Sequence, residues 1–114
     1  MSVITLRNKK DFDRIFKQKK VFGNKHFTLL YRKNGLEENR YAFVVSKKVS
    51  KKAVVRNKIR RRLKNYMILQ KDLINPGYDM VFLTKPGISE VDYATMTRSV
   101  DHLFYKTDLY KKNK

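Results

Sequence analysis

Residues 53–64 read AVVRNKIRRRLK, and six of these twelve are Lys or Arg with no acid among them. Arg offers a planar fork of donors and Lys a compact charge, and both hold phosphate oxygens. Asn57, between Arg56 and Lys58, adds an amide that donates and accepts, as a base edge or sugar hydroxyl requires. At helical spacing, Val55, Ile59, Leu63, Tyr66 and Met67 share one stripe, while Asn57, Lys58, Arg60, Arg61 and Lys64 fill the opposite arc. Cations at 56, 60 and 64 repeat at i,i+4, which is repulsive in isolation. A merely solvated helix mixes Glu with Lys at that spacing, yet no acid lies between Lys51 and Lys71. The arc therefore suits a polyanion. Phe12, Ile15 and Phe16 form a second group at i, i+3, i+4, as core or as rings that stack on unpaired bases. Tyr31 and the cations of VSKK, residues 45–48, are candidates for the same surface.

Side-chain catalysis finds little support. His26 and His102 lack metal-ligand spacing, and the four glycines build no P-loop, nucleophile elbow or dinucleotide fingerprint. With no Cys there are no disulfides or thiolate metal sites.

The elements that must position these residues follow from hydrophobic period and punctuation. Asn8 caps a helix over about 9–18, strengthened by Asp11. HFTLLYRK, 26–33, reads as a strand, NGLEEN as a turn, and RYAFVVSKK, 40–48, as the return strand of an antiparallel hairpin. The basic helix is expected over about 51–71 with Ser50 as N-cap. Asn75-Pro76-Gly77 closes it. YDMVFLT, 78–84, is a third strand. Ser89 caps a last helix over about 90–106, with Glu90 and Asp92 in its first turn and Val91, Ala94, Val100, Leu103 and Phe104 as burial candidates. The tail YKKNK is expected to fray.

The order α-β-β-α-β-α predicts one α/β (α+β) two-layer sandwich: a small mixed sheet with helices, all 114 residues forming a single RNA-binding domain. The 41% apolar content fills one modest core. The net charge of +18, from 28 Lys and Arg against 10 Asp and Glu, costs stability through self-repulsion unless a polyanionic partner is served. It is uneven: ten of the 18 residues from Lys47 to Lys64 are Lys or Arg, and six of the ten acids fall within 72–108. No apolar run approaches the roughly 18 residues of a membrane span, and no signal peptide or lipidation motif is visible. A cytoplasmic protein with no membrane or obligate protein partner is expected.

VSKKVSKKAVVRNKIRRRLK resembles the signature of the protein subunit of bacterial ribonuclease P: a Val-Ser-Lys-Lys strand end, then a helix opening with Ala-Val and an Arg-Asn-Arg-type run. KDFDRIFKQKKVFGNKHF resembles the family's Asp-Phe…Phe start and its Asn-x-x-Phe strand start, and KPG…SVDHLF matches more loosely. The resemblance covers nearly the whole chain. It implies a fold like the second domain of ribosomal protein S5, with a left-handed β-α-β crossover against the usual preference. It implies a catalytic centre in a large RNA subunit using Mg²⁺, with no catalytic residue, metal site or cofactor in this chain. It also implies two partners, the catalytic RNA and precursor tRNA. Position by position, Lys52, Arg56, Asn57, Lys58, Arg61 and Arg62 correspond to the surface for the catalytic RNA. Phe12, Phe16, Tyr31, Ser46, Lys47, Lys48, Arg60 and Lys64 correspond to a cleft for the 5′ leader. The loop KKVSKKA is one residue longer than is usual and lacks the customary Gly. Leu30 stands where the family's cleft has an aromatic, with Tyr31 beside it. Adjacent strand residues face opposite sides, so Tyr31 reaches the cleft only through a bulge or a shifted pairing. A ribosomal-type RNA-binding protein and a small nuclease acting by itself are the alternatives.

Overall fold

The computed structural model describes residues 3–112. Asn113 and Lys114, the end of the tail expected to fray, lie outside the described residues. The elements are β1 (Ile4–Thr5), α1 (Lys9–Gln18), β2 (Lys20–Gly23), β3 (Phe27–Lys33), β4 (Arg40–Val44), α2 (Ala53–Gln70), β5 (Tyr78–Thr84) and α3 (Tyr93–Lys106). Short 3₁₀ turns occupy Lys71–Leu73 and Ile88–Glu90.

One mixed sheet runs β1-β4-β5-β3-β2. The expected hairpin does not form, because β5 lies between β3 and β4, antiparallel to the first and parallel to the second. The physical reason is burial. Met80, Val81 and Phe82 are all fully covered, so β5 needs helices on both faces and neighbours on both edges. The connection 34–39 instead arches over the start of β5. Asn34 N donates to Gly77 O (2.9 Å), and Gly77 sits at φ 91° where a Cβ would meet Leu36 O at 3.1 Å. Glycine is required there on both counts. Parallel β4 and β5 need a crossover, which α2 supplies. Two further edge strands, β1 and β2, were not legible in the sequence.

Strand alternation sorts the core into two layers. Leu30, Ala42 and Val81 pack with Ile15 and half-buried Phe12 under α1. Phe27, Leu29, Tyr41, Met80 and Phe82 face α2 and α3, where Ile59, Leu63, Tyr66, Met67, Val100, Leu103 and Phe104 meet them. Helices thus cover both faces, α1 alone on one.

Several boundaries differ from expectation. β4 ends at Val44, because a turn closed by Val49 N to Ser46 O (3.0 Å) redirects the chain. α2 starts at Ala53, so Ser50 lies too far back to cap it, and its Oγ accepts from Lys52 N instead (3.2 Å). α3 starts at Tyr93 with Asp92 as N-cap, accepting from Thr95 N at 2.8 Å, while Ser89 lies in the preceding 3₁₀ turn. Ala94 is exposed. Tyr110 and Lys111 do not fray from the fold: Tyr110 bridges Ile74 and Lys111 N donates to Leu73 O (2.8 Å).

Candidate nucleic-acid interface

The apolar stripe of α2 is buried at Ile59, Leu63, Tyr66 and Met67, and this orients its cations. Lys52, Asn57, Lys58, Arg61 and Lys64 are exposed, and Arg56, Arg60 and Arg62 are half-buried. Among the described residues, no carboxylate pairs with a cation between Lys47 and Lys64. The arc is an uncompensated positive surface whose potential attracts polyanions.

Two guanidinium groups tie α2 to the loop that precedes it. Arg56 Nη1 donates to Ser50 O (2.9 Å) and Lys51 O (3.0 Å), closing the long loop into the first turn. Arg60 reaches Val45 O (3.4 Å) and Asn57 Oδ1. It therefore stands beside the end of β4, next to exposed Ser46, Lys47 and Lys48. Lys64 follows one turn on.

On the other face, α1 leaves part of the sheet open. Ile15 is fully buried and belongs to the core, whereas Phe16 is 48% exposed. Phe12 is half-buried and, like Leu83, packs against the core cluster of Ile15, Leu30, Ala42 and Val81. Val21 and Val44, both exposed, and half-buried Leu83 share the strand face that α1 crosses. Together with the Phe12/Phe16 side of α1 they make an apolar trough, and Arg60 with Ser46–Lys48 lies at the end of β4 that borders it. The Lys19 ammonium sits 5.9 Å from the Phe16 ring centroid and donates to Phe16 O (2.7 Å).

Tyr31 does not join this trough. β3 pairs with β5 without a bulge from Phe27 to Lys33, so Leu30 points to α1, where it is buried with Ile15. Tyr31 points to the opposite face, its ring 6.3 Å from that of Tyr78. Burial, then Tyr78, raises the Tyr31 phenol above its ordinary pKa.

Sequence reasoning missed Lys85. Its Nζ donates to Asn24 O (2.5 Å) and lies 3.6 Å from where a Gly23 Cβ would stand, which puts a cation on the α1 side of the sheet. The signal was slight, one Lys before a Pro-Gly turn.

The histidines are tied into the β2–β3 turn and α3. His26 Nδ1 lies 2.9 Å from Ser99 Oγ, and His102 Nδ1 3.3 Å from Asn24 Nδ2. Burial, then Lys25, lowers the His26 pKa. Among the described residues, no group of three or more His, Asp or Glu gathers to hold a metal.

The family model for Ribonuclease P matches residues 2–108. The chain belongs to the Ribonuclease P family. A relative from Caldanaerobacter subterraneus subsp. tengcongensis, the ribonuclease P protein component, is 36% identical over 107 residues, covering 94% of this chain and 91% of the relative. The solved RNase P protein from Thermotoga maritima is 34% identical, with a TM-score of 0.81 over 90% of this chain and 96% of that one. That of Staphylococcus aureus, 23% identical, shares the fold with a TM-score of 0.87 over 96% and 99% of the two chains.

Proposed function

We propose that this chain is the protein subunit of a ribonuclease P ribonucleoprotein, which promotes endonucleolytic maturation of the 5′ end of tRNA. It binds the catalytic RNA through Lys52, Arg56, Asn57, Lys58, Arg61 and Arg62. It holds the unpaired 5′ leader of precursor tRNA in the trough between α1, the open sheet face and the Ser46–Lys48 turn, with Arg60 and Lys64 alongside. The observation that carries this reading is the combination of exposed Phe16 on α1 with an α2 arc that, among the described residues, has no compensating acid.

The chemistry is assigned to the RNA subunit and its Mg²⁺. Among the described residues, no three-ligand carboxylate or imidazole group gathers to hold a metal. Its own work is to neutralise phosphates, to stack on leader bases and to bring two polyanions together. A tRNA-maturing role places it in the cytoplasm, and no described helix is long and apolar enough to cross a membrane.

The test is reconstitution with a ribonuclease P RNA and precursor tRNA. Cleavage at the mature 5′ end should require both components at low Mg²⁺, and protein alone should be inert. Phe16→Ala should weaken precursor binding about ten-fold, given roughly 1–3 kcal/mol per stacked base, and leave mature tRNA unaffected. Phe16→Leu keeps most of the volume and should not restore binding. Equal losses for both tRNAs, or a melting change that explains the loss, would return Phe16 to a structural role. Robust cleavage by protein alone would replace the whole reading with that of a protein nuclease.

A further inference from the structure

The misplacement of Tyr31 exposes a second aromatic and cationic site on the far face of the sheet. Gln18, Lys20, Tyr31, Arg32, Lys33 and Tyr78 line a cavity of about 270 Å³. Lys20 stands directly opposite Tyr31 in the β2–β3 ladder and Lys33 opposite Tyr78 in the β3–β5 ladder, and opposed residues project from the same face. The two rings are tilted by 54° and both are half-buried. Lys20, Lys33, two phenols and an amide line the cavity with no carboxylate, while Arg32, opposite Asp79 in the β3–β5 ladder, turns its guanidinium to that residue on the other face (3.8 Å). Asp79, beside Tyr78, points to the other face, where Arg40 holds it.

This site continues from the trough. Phe16, near the end of α1, carries the Lys19 ammonium over its ring. Lys20 then opens β2, the edge strand of the sheet, opposite Tyr31. A strand of nucleic acid leaving the trough past Phe16 meets Lys19 and Lys20, rounds this edge and arrives at Tyr31 and Tyr78. Alternating cations and aromatic faces suit unpaired nucleotides, whose phosphates need charge and whose bases need a flat partner.

We propose that Tyr31 and Tyr78, flanked by Lys20 and Lys33, bind unpaired nucleotides of the 5′ leader beyond those held beside Phe16. This rests on the leader reading above and extends it to a leader-length dependence.

The experiment measures holoenzyme affinity for mature tRNA and for precursors with leaders of about 4 and about 16 nucleotides, the range one single-strand-binding module spans. The variants are Tyr31→Leu/Tyr78→Leu and Lys20→Gln/Lys33→Gln, the second pair exposed and therefore harmless to folding. The preference for the long leader over the short one should fall roughly five- to ten-fold in each double variant, and Tyr31→Phe should keep it. A Phe16→Ala holoenzyme serves as reference. If Phe16→Ala discriminates precursor from mature tRNA while both double variants keep the wild-type length preference, the extended track is overturned and the leader trough survives. If Phe16→Ala does not discriminate, both fall. A loss equal for all three tRNAs, accompanied by weaker binding of the catalytic RNA alone, overturns the proposal by assigning the site to that RNA.

Discussion

Arg40 grips Asp79 through two parallel hydrogen bonds, Nε to Oδ1 and Nη2 to Oδ2, both 2.8 Å. Asp79 is fully buried in the central strand and also accepts from Asn34 Nδ2 at 3.0 Å. The same guanidinium reaches Asp11 of α1 at 3.2 and 3.3 Å, one residue before Phe12. The trough-forming helix is thus anchored to the sheet through a buried charge. Arg40→Ala strips both short hydrogen bonds from that charge, leaving only Arg32 at 3.8 Å, and should cost about 3 kcal/mol, read by denaturant unfolding. Asp11→Asn removes only the partly exposed arm and should cost about 1 kcal/mol or less, yet lower affinity for precursor tRNA. Unchanged precursor binding in Asp11→Asn would show that α1 is seated by its apolar side chains alone.

Arg61 is exposed and, among the described residues, has no side-chain or backbone partner. Arg61→Ala should therefore leave the melting temperature unchanged. It should weaken binding to the catalytic RNA and flatten the salt dependence of log K by about one unit. Arg56→Ala should differ, because it also frees the carbonyls of Ser50 and Lys51 and loosens the loop, at about 1 kcal/mol of stability. Titrations across ionic strength compare the two. An Arg61→Ala slope equal to wild type would place that residue outside the interface.

Asp101 Oδ1 accepts from the hydroxyls of both Tyr66 (2.5 Å) and Tyr110. Burial first, then the Asp101 carboxylate, pushes both phenols above their ordinary pKa of 10.0. A raised folded-state pKa means stability that is fully present below the unfolded value and lost as pH rises above it. Unfolding free energy should therefore fall on the alkaline side of pH 10. Tyr110→Phe should flatten that arm and lower the neutral melting temperature by about 4 °C, for a lost hydrogen bond of about 1 kcal/mol. An alkaline arm of undiminished slope in Tyr110→Phe would count against this coupling.

His26 behaves in the opposite direction. Its pKa is depressed below 6.5 by burial and then by Lys25, so the folded state favours the neutral imidazole. Its contribution is present above pH 6.5 and is lost as pH falls below it. Thermal melts on either side of that pH should show a larger acid loss in wild type than in His26→Gln. Parallel profiles would mean that carboxylate protonation alone accounts for the acid side.

Local chemistry determined much of this protein. The i, i+4 apolar stripe of α2 and its acid-free arc stand at adjacent sequence positions, so period and charge suffice to orient the helix and mark its polycationic surface. β5 was legible to the residue, 78–84, because a short apolar run between Pro76-Gly77 and Pro86-Gly87 has one economical conformation. Asn8 and Asp11 likewise announce α1 through hydrogen-bonding that is local to the chain.

Strand order was decided only in three dimensions. Nothing within 26–48 reveals that 78–84 will insert between its two strands, because that pairing is won by burying Met80, Val81 and Phe82 on both faces of the sheet. β1 and β2, two and four residues long, carry no period of their own and exist because the sheet offers them open edges. Alternation requires Leu30 and Tyr31 to face opposite ways, but which side meets α1 depends on where Ile15 packs. The same packing buries Ile15 and leaves Phe16, its neighbour in sequence, in solvent. Sequence period therefore nominates the side chains of a surface, and long-range burial decides which of them share it.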